Sequence, residues 1–241
     1  MLYMAAGAFF FSVMSLLVKV AGQRLPSQEV VFARAAISLA LSWVALRRAG
    51  TSPWGTRRRT LLLRGVLGFL ALSCFYYAVV HLPLADATVI QYTNPVWTGI
   101  IAAVVLGEGL RRREVACAAT SLVGVALMTR PAFLFGGAGA ALDPLAAAVA
   151  LAGAVLSAGA YVTVRALGRT EASMVIVFWF ALVSTVGSLP ATLATALWPT
   201  PWEWLALLGV GITTQLGQVY ITRGLKRERA GRAMTVGYLQ I

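Results

Sequence analysis

Apolar stretches long enough to cross a bilayer core as helices, about 20 residues each, recur along this chain at 2–22, 27–46, 60–81, 84–106, 111–129, 142–165, 171–197 and 201–222. A ninth begins near 231 and runs to Ile241. No basic n-region precedes the first stretch and the pattern continues through the chain, so a cleavable signal peptide does not explain it. The expectation is an all-α integral membrane protein of many spans. Composition agrees: 59% of the residues are hydrophobic, 12% are charged and the mean hydropathy is +0.81, more apolar surface than a soluble core of 241 residues would use.

Within this pattern lies a repeat. Residues 7–38 are echoed without a gap at 153–184, with nine of 32 positions identical at a constant offset of 146. The identities are Gly7/Gly153, Ala8/Ala154, Val18/Val164, Gly22/Gly168, Ser27/Ser173, Val31/Val177, Phe32/Phe178, Ala35/Ala181 and Ser38/Ser184. Two copies of one folded unit are implied. The first occupies 1–131 and holds five spans, a Gly-rich loop occupies 132–141, and the second copy fills 142–241.

Charge turns the repeat into a topology. The net charge of +12 sits in short clusters between apolar runs, and 16 of the 20 Lys and Arg residues flank the loops after spans 2, 4, 6 and 8. The eight acids divide evenly between the two sides. A bias in Lys and Arg alone is the positive-inside pattern, which assigns the basic loops and the N-terminus to the cytoplasm of a bacterial-type inner membrane. Five spans per copy force the second copy upside down, and the charges agree: the loop 23–28 carries one Arg, whereas its counterpart carries Arg165 and Arg169. Inverted repeats suit a transporter, because two half-bundles can rock about a central site. Cys74 and Cys117 fall at different depths, which disfavours a disulfide.

Several segments, in this order, resemble the EamA-like branch of the drug/metabolite transporter superfamily. They are Leu82-Pro83-Leu84-Ala85-Asp86-Ala87-Thr88, Asn94-Pro95-Val96, Leu106-Gly107-Glu108, the basic turn Arg111 to Glu114 before Leu122-Val123-Gly124-Val125-Ala126-Leu127, and Phe10-Phe11-Ser12-Val13-Met14-Ser15. The resemblance implies ten helices in two inverted five-helix repeats, both termini cytoplasmic, and movement of small metabolites. Against that pattern Ile241 aligns with Pro95, so the second copy is expected to lack the rest of helix 9 and all of helix 10.

Polar groups at bilayer depth point to a partner or a cavity. Span 4 sets Gln91, Tyr92 and Asn94 before Pro95, which frees the Gln91 carbonyl and kinks the helix, a candidate hinge. Span 3 places Ser73, Tyr76 and Tyr77 on one face, and span 8 offers Thr214, Gln215 and Gln218. Tyr161 in span 6 flanks Ala146, Ala150, Ala154 and Ala158, a small-residue face read as packing. Arg34, two turns inside span 2, is either an anion contact or a snorkelling side chain. Glu108 is expected to end span 4 in a local ion pair with the basic loop that follows.

No carboxylate falls at a midplane, so proton coupling has no candidate, and a cavity of amides, hydroxyls and rings suits a neutral, zwitterionic or amphipathic solute. The expected function is a secondary transporter of a small molecule, with the lipid bilayer as environment, no nucleic acid, no cofactor and no metal; a homodimer is compatible. An enzyme finds little support, since neither a Walker loop nor an H-E-x-x-H or G-x-S-x-G motif is present. Only His81 with Asp86 could be drafted for acyl transfer, and a remnant lacking helix 10 is the other alternative.

Overall fold

The structure, a computed structural model, describes residues 2–21, 24–109, 112–136, 143–195 and 197–236. Among these the chain is helical: α1 (Leu2–Ala21), α2 (Ser27–Arg48), α3 (Arg58–His81), α4 (Leu84–Gln91), α5 (Asn94–Leu106), α6 (Arg112–Thr129), α7 (Ala132–Phe135), α8 (Pro144–Leu167), α9 (Ser173–Thr195), α10 (Pro201–Arg227) and α11 (Ala230–Thr235). Six spans in these residues are long and apolar enough to cross a membrane, α4 and α5 counting as one, and α1 and α6 contain shorter apolar stretches. The protein is therefore an all-α integral membrane protein. Of the loop expected at 132–141, residues 132–135 form α7, while Gly137 and Gly139 lie outside the described residues, as does the end of the ninth apolar run.

Local chemistry sets several helix ends. At the start of α10, Thr200 and Glu203 form a capping box behind Pro201 at the first position, satisfying amides that have no partner inside the helix. The Asp143 carboxylate accepts from the Leu145 amide to open α8. Helix α5 stops at Gly107, whose φ of 66° is the left-handed cap that glycine adopts without strain.

Close approach of backbones holds the bundle together. Ala146, Ala150, Ala154 and Ala158 are all buried; Ala146 and Ala150 cluster with Ala78 of α3 and Ala87 of α4, and α8 packs closely on α3. A Cβ placed on Gly153 would stand 2.8 Å from the Cys74 Cβ and 3.4 Å from the Ala71 carbonyl oxygen. Helices α1 and α10 meet in the same way, with Gly217 against the Phe11 ring and Gly224 against Met4. Helix α2 packs on α9 and α10, and α3 also packs on α9. Gln215 joins three of these helices: it accepts from the Ser38 hydroxyl, donates to Ser42 Oγ at 2.8 Å and lies 3.6 Å from the Met174 sulfur. Large apolar side chains such as Phe9, Leu16, Val104 and Leu193 stand on the outside, where hydrocarbon is the solvent.

Polar clasps tie the connections at the two ends of the bundle. At the end carrying the basic clusters, Arg165 Nε donates to Glu108 Oε1 at 2.8 Å, Arg165 Nη1 donates to the Lys226 carbonyl at 2.8 Å, and Glu108 Oε2 accepts from the Ala230 amide at 2.9 Å. The partner of Glu108 is thus 57 residues away, not in its own loop, because Gly107 turns the chain toward the end of α8. At the other end Arg24 grips Glu203 at 2.7 Å and the Trp198 carbonyl at 2.9 Å, and the buried Glu29 accepts from the Leu197 amide at 3.0 Å.

In the α8–α9 connection, Glu171 Oε1 accepts from the Thr56 amide, the Thr56 hydroxyl and the Arg57 amide, all within 2.7 Å. Burial pushes this carboxyl up, but the hydrogen bonds from Thr56 and Arg57, with the Arg57 charge, outweigh it and hold the group below its ordinary value. A depressed folded value means that the clasp stabilises the protein above the unfolded carboxylate pKa, about 4.3, and loses that contribution as pH falls through the lower folded value. Glu171→Gln is accordingly expected to melt earlier than the parent at pH 7, with the gap closing below about pH 4. An equal gap at both pH values in detergent-solubilised protein would refute the assignment.

Candidate functional site

Helix α4 ends at Gln91 and α5 begins at Asn94. Pro95 has no N–H to offer the Gln91 carbonyl, and the chain passes the gap through tight turns: Tyr92 N–H to the Thr88 carbonyl at 2.9 Å, and Thr93 N–H and hydroxyl to the Ile90 carbonyl at 3.1 and 2.6 Å. The interruption lets Tyr92 face inward beside Gln91 and Asn94, where a continuous helix would turn it about 100° from Gln91.

They face a cavity of about 250 Å³. One wall is formed by Gln91, Tyr92 and Asn94; α3 adds Arg64, Ala71 and Phe75, α8 adds Ser157 and Tyr161, and α1, α2, α9 and α10 close it with Phe11, Arg34, Phe180 and Gln218. Helices from before and after the Gly-rich segment therefore share one cavity. The side-chain oxygens of Gln91 and Asn94 are buried with no hydrogen-bond partner.

Six of the residues singled out from sequence, Gln91, Tyr92, Asn94, Tyr161, Gln218 and Arg34, come together on this lining. Arg34 is only 7% exposed, which rules out snorkelling to a surface. The other five are absent from the lining among the described residues. Gln215 is engaged with Ser38 and Ser42, Thr214 is buried with its hydroxyl unpartnered, and the Ser73 hydroxyl returns to the Phe69 carbonyl at 3.0 Å. Tyr77 stacks on His81 with ring centroids 4.0 Å apart, and Tyr76 lies edge-on to Phe75.

The residue that sequence reasoning misplaced is Arg64. Counted with the basic flank of span 3, it is instead 4% exposed, and its Nε and Nη1 have no hydrogen-bond partner. Its guanidinium carbon lies 4.5 Å above the Phe180 ring, a cation–π contact that occupies the face of the group and leaves its edge free. A glycine one turn later was the available signal: a Cβ at Gly68 would collide with Arg64 Nη1, so Gly68 clears the space into which the side chain folds. Asp86, at the start of α4, is also fully buried, with neither carboxyl oxygen bonded.

Comparison with known proteins follows the same lines. The pseudopaline exporter CntI of Pseudomonas aeruginosa is 35% identical over 235 residues, which are 97% of this chain and 81% of that protein. Solute carrier family 35 member G1 of Homo sapiens is 30% identical over 240 residues, covering 95% of this chain and 66% of its own length. A solved crystal structure superposes on 99% of this chain and 83% of its own with a TM-score of 0.83, at 21% identity, a likeness that speaks to fold alone. The model of the EamA-like transporter family matches residues 1–130. An interrupted fourth span, a polar cavity at its break and this set of relatives agree, and the chain belongs to the EamA-like transporter family.

Proposed function

We propose that this protein is a secondary transporter that moves a small amphipathic or zwitterionic metabolite outward by alternating access, with the cavity as its binding site. The observation that carries the reading is the cavity itself: unpartnered amide oxygens and aromatic faces at bilayer depth, contributed by helices from both sides of the Gly-rich segment. Outward movement is taken from the relative named as an exporter, and a small-molecule cargo from both named relatives.

The inverted repeat is supported by the packing. Exchanging α1 with α8, α2 with α9 and α3 with α10 turns the α1–α10 contact into α8–α3 and the α2–α10 contact into α9–α3, while α2–α9 maps onto itself. All of these contacts are present. The clasps at the two ends, Arg24–Glu203 and Glu108–Arg165, then act as the closures of opposite sides, one of which must release for access. The break between Gln91 and Asn94, enforced by Pro95, is the hinge, and the basic end faces the cytoplasm.

The test is transport by the full chain in proteoliposomes loaded with a defined mixture of isotope-labelled amino acids, organic acids and their amides, read by mass spectrometry of the medium. Asn94→Leu and Gln218→Leu should each cut the efflux of the transported compounds about tenfold, the worth of one lost ligand hydrogen bond, with insertion unchanged. Efflux no faster than from empty liposomes would sink the transporter reading. Rates untouched by both substitutions would move the site elsewhere.

A further inference from the structure

A buried guanidinium normally has an acid beside it. Taking one out of water costs several kcal/mol, recovered only through charge-assisted hydrogen bonds, and five N–H donors make an unpaired arginine the most demanding side chain to leave unsatisfied. Arg64 is buried against the cavity with two of its nitrogens unpartnered. No Asp or Glu stands among the described lining residues. The second guanidinium on the lining, Arg34, is buried as well and sets Nη1 3.9 Å from the Met14 sulfur, a weak acceptor. Among the described residues the lining thus holds two positive groups and no negative one.

We infer that the solute carries a carboxylate and that Arg64 is the group that receives it, with Arg34 supplying the second positive charge. The fork of a guanidinium matches two carboxylate oxygens. Phe180 covers the flat face of Arg64 and Gly68 leaves room for its folded side chain, so the guanidinium is held in place on the cavity lining. Gln91 and Asn94 accept from the ammonium or hydroxyl groups of such a solute, and Phe11 and Phe75 cover its carbon skeleton.

Helices α2 and α3 are consecutive and run in opposite directions. Arg34 lies seven residues into one and Arg64 six into the other, each about 10 Å from an opposite end of the bundle. A carboxylate entering from either end meets one guanidinium before the other. That placement suits a site that must accept an anion from one side and surrender it to the other. This inference rests on the transport reading for its direction, and on the cavity alone for its chemistry.

The experiment separates the two. Full-length protein in detergent is melted with glutamate, glutarate or citrate, with the isosteric glutaramide, and with glycerol phosphate, in the parent and in Arg64→Gln and Arg64→Lys. At least one carboxylate is expected to raise the melting temperature of the parent while glutaramide does not. Arg64→Gln should weaken that carboxylate about tenfold or more, and Arg64→Lys should retain part of its affinity, since charge survives and the fork is lost. Stabilisation by no carboxylate, by glutaramide equally, by glycerol phosphate alone, or with undiminished affinity in Arg64→Gln overturns the assignment. The melting curves of the unliganded variants report whether they fold. Carboxylate binding without movement in the proteoliposome assay leaves Arg64 as receptor and sinks the transporter reading instead.

Discussion

Gly153→Leu is expected to prevent stable assembly of the bundle. A Cβ at this position would sit 2.8 Å from the Cys74 Cβ and 3.4 Å from the Ala71 carbonyl oxygen, so even the first added carbon meets a rigid neighbour, and three further carbons have nowhere to go. In a bilayer no hydrophobic gain offsets the separation of two helices, because lipid solvates leucine as well as a neighbouring helix does. Overpacking costs about 1–3 kcal/mol in ordinary cores and more where backbone must shift. Here α3 and α8 would have to part along their shared face. Gly124→Leu provides the comparison, since a Cβ there meets nothing within 4 Å. In detergent, Gly124→Leu should melt with the parent and Gly153→Leu should elute as aggregate or melt far earlier. Equal behaviour of the two variants would refute the close α3–α8 approach.

Charge reversal at Glu108 is the second large effect. Its carboxylate bonds Arg165 through one oxygen and the Ala230 amide through the other, while Arg165 also holds the Leu225 and Lys226 carbonyls. Both side chains are about one-fifth exposed or less, so solvent screens the pair only in part, and removing one partner from so covered a pair costs about 2–3 kcal/mol after that discount. Glu108→Arg does more, placing two guanidiniums together. Adding Arg165→Glu should recover the Coulombic share alone. An arginine in place of Glu108 has no acceptor for the Ala230 amide, and a glutamate in place of Arg165 has no donor for the two carbonyls at the end of α10, so the double variant should remain less stable than the parent. Full recovery would show that charge alone holds this end; no recovery would mean that the pair is not formed.

Much of this architecture was legible in the residues. Hydropathy located every long helix, since only α-helices satisfy their backbone within a single lipid-embedded segment, and Pro95 announced the break that turns Gln91, Tyr92 and Asn94 inward. Depth was harder to read. A census of Lys and Arg records where charges fall along the chain and not which way they point, so Arg64 passed as a flanking charge. Helical spacing failed in a similar way at Gln215 and Gln218. They are one turn apart, yet about 60° of rotation sends one to Ser38 and Ser42 and the other into the cavity. Glu108 shows the remaining gap: sequence proximity favours a local partner, whereas the real one depends on where α8 ends in space.

The helix pairing has a consequence for how the chain assembles. Helix α3 packs on α8, α2 on α9 and α1 on α10, an order nested like parentheses. The smallest loop closes first, because closure entropy grows with the number of residues enclosed. During synthesis the first three helices enter the membrane before their partners exist, with Ser38, Ser42 and Arg64 presented to lipid, water or one another. Helix α8 arrives and covers α3, α9 then covers α2, and α10 finally brings Gln215 to the waiting serines and seals α1. On this order the α3–α8 seam containing Gly153 is the first to form, and damage there strands the two pairings that follow it, whereas damage at the α1–α10 seam leaves the two earlier pairings in place.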